Sequence, residues 1–248
     1  MLDPTSATPS PAVTGLCMFI TACLVGAMPG ARLVAGRRLG EEHEQTRRAA
    51  VRTGVVLLAW LAVTGTLAGT GALAHFDGFP PGPLPLFLLG FVLTVVVGLS
   101  RYGARLAEGL PLALIVGYQG FRVGVEIMLH AAYDGGVIGR QMTWSGLNFD
   151  VVTGLTGLAL GIWLWRRGED QPVPRALLWA WNGLGLALLV TIVTIAILSF
   201  PGPLARFDGP PNVWVATVPF VWLPSVMVTA ALFGHVLLAR RLLAAGRR

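Results

Sequence analysis

Residues 176–199 read ALLWAWNGLGLALLVTIVTIAILS, twenty-four positions without one charged side chain. A bilayer core of about 30 Å takes roughly 20 apolar residues wound as a helix, so this stretch alone is long enough to cross. Six further runs resemble it, at about 12–31, 53–75, 84–100, 110–132, 149–165 and 217–239. The pattern predicts an all-α membrane protein, a single polytopic domain over 1–248 with seven transmembrane helices.

Composition agrees. The chain is 54% hydrophobic and 12% charged, with a mean hydropathy of +0.70. Soluble domains carry about 25% charged residues, and half that fraction leaves too little polar surface to cover a globule in water. The net charge of +6 comes entirely from Arg, since all 18 basic residues are Arg and none is Lys. They cluster between the apolar runs, which is a demand of bilayer orientation and gives nucleic acid no claim on them. Without Lys, retinal Schiff-base chemistry and Lys-dependent catalysis are excluded. Cys17 and Cys23 lie six apart in the first run and read as small lipid- or core-facing residues.

Loop charge predicts the orientation. Arg32, Arg37, Arg38, Arg47, Arg48, Arg52, Arg101, Arg105, Arg166, Arg167, Arg175, Arg240, Arg241, Arg247 and Arg248 fall on one side, fifteen against Arg140 and Arg206 on the other. The positive-inside rule then puts the N-terminus outside and the C-terminus in the cytoplasm. The leader MLDPTSATPS has no positive residue, so the first run reads as a retained helix rather than a signal peptide. The expected location is a bacterial inner membrane. Two outer strings, HFDGFPPGP at 75–83 and PGPLARFDGPPN at 201–212, both follow outward-going helices. They fit either a repeat of three helices, a linker and three more, or a shared Pro/Gly turn composition.

The chemistry concentrates in run four, GYQGFRVGVEIMLHAAYD at 117–134. Gln119, Arg122, Glu126 and His130 are spaced three, four and four, which aligns them on one helix face. Ionisable groups at such depth cost about 2.5–3.5 kcal/mol each on insertion scales and almost always face a bundle interior or a wet cavity. The face is therefore a candidate ligand-binding or proton-relay site, with pure interhelical packing as the alternative. Gln141, Thr143 and Trp144 precede Asn148 and Asp150 in a loop short enough to fold back over the bundle. Asn148 and Asp150 fall near the same depth, as ligand-orienting residues or as a helix N-cap.

His75 and His130 both reach the outer side and are weak candidates for a metal, with carboxylates such as Asp77, Glu126, Asp134, Asp150 or Asp208. No HExxH-type motif supports them, so no cofactor is assigned. His235 is expected near the cytoplasmic end of run seven, as a cation at a helix C-terminus. Pro224 is expected inside that run, kinking it, with Pro219 near its start. Gly154, Gly157, Gly161, Gly183 and Gly185 should permit close helix contact. Trp144, Trp163, Trp165, Trp179 and Trp214 fit interfacial belts. No P-loop, GxGxxG before a helix, CxxC or GxSxG is present.

The segments FRVGVEIMLH, QMTWSGLNFDVVTGLTG and TVPFVWLPSVMVTAALFGH resemble a family of uncharacterised bacterial seven-helix membrane proteins with FRxxVExxLH and QMTxxGxNFD patterns. The resemblance covers about 110–240 and stresses Arg122, Glu126, His130, Gln141, Asn148 and Asp150. Val218 stands where that family often has Phe before Pro219. It implies a site and no particular activity.

The leading expectation from these residues is binding or translocation of a small polar or anionic solute. Arg122 would be the anion partner, Glu126 and His130 would exchange protons, and Gln119, Asn148 and Asp150 would orient the ligand. The alternatives are an intramembrane enzyme acting on a lipid or isoprenoid, with Glu126 or Asp150 as base, and a structural or sensory subunit. The expected partners are the bilayer and a small solute or lipid ligand.

Overall fold

The structure, a computed structural model, describes residues 7–169 and 171–245. The leader residues 1–6 and the basic Arg247 and Arg248 lie outside them. Among the described residues the regular structure is helical throughout. The helices are α1 (Pro11–Arg38), α2 (His43–Gly69), α3 (Pro83–Leu99), α4 (Arg101–Gly109), α5 (Leu112–Gly117), α6 (Phe121–Asp134), α7 (Asp150–Arg167), α8 (Arg175–Leu198) and α9 (Thr229–Ala245). A 3-10 turn at Tyr118–Gly120 joins α5 to α6, and a π-helical stretch at Leu223–Val228 leads into α9.

Among the described residues, five helical segments are long and apolar enough to cross a bilayer: α1, α2, the α5–α6 unit over Leu112–Asp134, α8 and Leu223–Ala244. Counting α3 and α4 as one bent span makes six. The fifth expected run, 149–165, is present as α7, an eighteen-residue helix with Asp150 at its start and Arg166 and Arg167 at its end, and is not among these spans. Outward faces are apolar: Phe19, Leu58, Val92 and Val190 are all exposed. Single exposed apolar residues mean little, but stripes of them along several long helices match a lipid solvent.

Three local features depart from expectation. Run three does not end in a loop. Ser100 turns extended, its Oγ accepts the Tyr102 N–H at 3.1 Å, and α4 leaves α3 at 65°. Run seven starts later than 217: Trp214–Ala216 is a separate 3-10 turn, and helical structure around Leu223 follows. Pro224 therefore sits at the beginning of the helical stretch, where a missing N–H is harmless, rather than kinking a helix from inside. Trp214 is also no belt residue. It is buried and packs on Phe220 with ring centroids 4.5 Å apart, whereas Trp163, Trp165 and Trp179 are exposed.

The basic loops meet at one end of the bundle. Glu41 is clasped by Arg32 at 2.5 Å and by Arg105, tying α1 and α4 to the first connection. Arg38 pairs with Glu169, Arg175 donates to Leu242 O at 2.7 Å, and Arg241 donates to Ala107 O at 3.0 Å. Burial alone would push the Glu41 carboxyl up, but hydrogen bonds and charge from Arg32 and Arg105 outweigh it and hold the group below the ordinary carboxylate value. The two Pro/Gly strings meet elsewhere. Gly82 N–H donates to His75 O at 2.7 Å and Asn212 N–H to Ser199 O at 2.8 Å, closing each loop on itself. Phe76 and Phe200 then stack the loops together, with centroids 5.6 Å apart.

A buried polar network at the end of an apolar cavity

Close helix approach makes the site possible. A Cβ built on Gly154 would lie 2.9 Å from the Val123 nitrogen and 3.3 Å from the Arg122 Cβ, and one on Gly157 would lie 2.9 Å from the Trp181 ring. These small residues let α7 lie against α5 and α6 almost backbone to backbone. Gly183, expected to act likewise, faces open space, while Gly185 lies directly against the His235 ring.

That approach brings the α6 residues onto the start of α7. Arg122 grips Asp150 with two donors, Nε to Oδ2 at 2.7 Å and Nη2 to Oδ1. Such a bidentate fork is the strongest geometry available to this pair. One turn further on, Asn148 Nδ2 donates to Glu126 Oε1 at 2.6 Å and to Met142 O at 3.1 Å. The Asn148 Oδ1 accepts the Asp150 N–H at 3.0 Å, so it serves an orphan donor of the α7 first turn while the amide holds Glu126. Asn148 stands one residue before the α7 N-cap, Phe149, and its side chain joins the start of α7 to Glu126.

The network also runs into α8 and α9, through residues that sequence spacing did not single out. Arg122 Nη1 lies 2.9 Å from His235 Nε2, and His235 Nδ1 lies 2.9 Å from Asn182 Oδ1. A guanidinium is always a donor, so Nε2 bears no hydrogen and Nδ1 must carry it, donating to Asn182. His235 is therefore a neutral, fully buried ring and not a cation at a helix terminus, as expected from its position. Asn182 itself looked like one polar residue in an apolar run. Only its contact with His235 gives it a role, and no local sequence signal could have found that pairing.

The remaining candidates divide. Gln119 is buried and donates Nε2 to Ala231 O at 2.9 Å, leaving its Oε1 without a partner. It faces α9 and stands beside the Arg122 network rather than within it. His130 is set apart: its ring stacks on Trp144 with centroids 4.3 Å apart. Gln141 bonds Ser199 Oγ at 2.9 Å, so it fastens the loop to the end of α8 and does not join Glu126. Among the described residues, no three His, Cys, Asp or Glu side chains gather as a metal site. Neither His75 nor His130 belongs to such a group.

Arg122, Glu126 and Asp150 line a cavity between α3, α6, α8 and the π-helical stretch. Its other walls are mainly apolar, among them Phe87, Leu129, Ile192, Phe200 and Met227. The volume of about 80 Å³ is several times the ~10–15 Å³ that one water needs. Pro83, Phe200 and Asn212 also border it, so the two Pro/Gly loops close the same end. Two buried oxygens in these walls have no partner, Glu126 Oε2 and Asn212 Oδ1.

Compared with family models, curated proteins and solved structures, the chain matches none.

Proposed function

We propose that this chain is a seven-span bacterial inner-membrane protein, N-terminus outside, which binds a small amphiphile in the cavity beside Arg122 and Glu126. The carrying observation is the cavity's contrast: a largely apolar wall that ends on Arg122, Glu126 and Asp150. A small polar solute would leave most of that wall in contact with water. A molecule with an apolar body and one polar head satisfies both parts. Arg122 is already forked to Asp150 and donates to His235, so it is not free to receive an anion, and the anionic solute expected from sequence gives way to this reading. The π-helical lining, a distortion frequent at functional sites, supports it further.

Binding is tested with decanol as a neutral probe, titrated calorimetrically into protein in detergent. Saturable one-site binding is expected in wild type, with loss in Met227→Trp, which fills the cavity. Decanol that partitions alike with both proteins would sink the reading. Orientation is tested in a chain whose Cys17 and Cys23 are replaced by Ala. Asp77→Cys should react with an impermeant maleimide in spheroplasts and Glu42→Cys should not, and the opposite pattern would invert the topology.

A further inference from the structure

The cavity walls hold an excess of acceptors. Glu126 is 1% exposed and Asn212 is 1% exposed, and Glu126 Oε2 and Asn212 Oδ1 are both buried without a donor. A buried carboxylate oxygen without a donor carries an uncompensated desolvation penalty, so the native ligand is expected to supply one.

Charge counting gives the same direction independently. Arg122 and Asp150 neutralise each other through the fork, and His235 is neutral because Nε2 accepts from Arg122. That leaves Glu126, whose bonded partner is the uncharged Asn148 amide. The network is one positive charge short of neutrality. Either a proton or a cationic ligand supplies it, since an isolated carboxylate in an apolar medium is strongly disfavoured. The other titratable groups around Glu126 do not fill the gap. Asp150 on α7 repels rather than compensates. His130, one turn along α6, has its ring against Trp144 and makes no hydrogen bond to Glu126. Cys17 on α1 is a thiol turned to Pro219 O, and the walls from α8 and the π-helical stretch offer Leu, Ile, Val and Met.

Resting on the reading of the cavity as an amphiphile site, we propose that its ligand is an aliphatic amine, bound as the ammonium with an N–H on Glu126 Oε2 and its chain in the apolar cavity. The ammonium takes the place a proton holds on Glu126, and that proton leaves to water as the cation enters. Amine and proton therefore exclude each other at one oxygen.

Four probes with one chain length test this on the wild-type protein: decylamine, decyltrimethylammonium, decanol and decanoate. Decylamine should bind tightest, by about 10–100-fold over decanol, the range of a hydrogen bond to a charged group. Decyltrimethylammonium, with charge but no donor, should fall between them, and decanoate should be weakest. Decylamine affinity should drop on acidification, while decanol affinity stays level. Glu126→Gln should reduce decylamine to the decanol level. Equal binding of all four probes, a preference for decanoate, or a decylamine affinity that ignores pH would overturn the amine assignment while leaving the cavity reading intact. Binding of none would remove the cavity reading itself. The probe comparison needs no variant, so a poorly folding Glu126→Gln does not blunt the test.

Discussion

Arg122 on α6 and His235 on α9, 113 residues apart, meet through a 2.9 Å contact that sets the state of both side chains. The guanidinium can only donate, so the imidazole is fixed as the neutral Nδ1–H tautomer and donates that hydrogen to Asn182 Oδ1. One bond thereby links three helices through a buried polar chain that ends at Glu126.

The tautomer can be read directly. Nitrogen NMR of labelled protein at neutral pH should show His235 with hydrogen on Nδ1 and a bare Nε2. A signal with the proton on Nε2 would contradict the Arg122 contact. Asn182→Leu, which strands the Nδ1–H donor in the interior, should destabilise the fold by about 1–3 kcal/mol in thermal unfolding.

The Arg122–Asp150 fork should be far more costly to halve than to remove. Asp150→Leu or Arg122→Met alone leaves one buried charge of the fork without its partner and should cost about 3–5 kcal/mol. The double substitution Arg122→Met with Asp150→Leu should recover a large part of that loss. Unfolding midpoints in detergent for the two singles and the double give the answer, and simple additivity would refute the pairing.

Gly185 has its own test. A Cβ there would lie 2.8 Å from His235 Nε2, so Gly185→Ala must displace the ring or the helix. The expected loss is about 1–3 kcal/mol, as for other overpacked interiors. Gly183→Ala, where a Cβ meets open space, should be neutral or slightly stabilising in the same assay.

At the basic end, Glu41 provides the pH dependence. Its carboxyl is held below the ordinary value, so the clasp with Arg32 and Arg105 stabilises the folded state at neutral pH. That contribution is lost as the pH falls from about 4.3, the ordinary carboxyl value, through the lower folded one. Glu41→Gln should lower the unfolding midpoint by a few degrees at pH 7, with the gap to wild type closing under acid. A gap that stays constant down to pH 3 would show that the charge of Glu41 does not matter.

The apolar runs, the near absence of charge and the one-sided Arg distribution identify the protein as a membrane helix bundle from sequence, because backbone satisfaction in lipid leaves helices as the form such segments take. The stripe in run four was legible for the same reason: helical periodicity gathers positions three and four apart, and ionisable residues at that depth are too costly to be idle. Sequence proximity also suggested Asn148 and Asp150. Pairings across the bundle were not legible. His235, Asn182, Gly185 and Asn212 become parts of the site only through contacts between α6, α8, α9 and the two Pro/Gly loops. Nothing in their neighbours along the chain sets such contacts. They follow from helix packing, where a missing Cβ at Gly154 or Gly185 decides which side chains can reach one another. The same packing separated His130 and Gln141 from Glu126 and set Arg122 against a carboxylate of its own protein. Sequence could supply the charges of the network, and only the tertiary structure could decide which of them remained unmet.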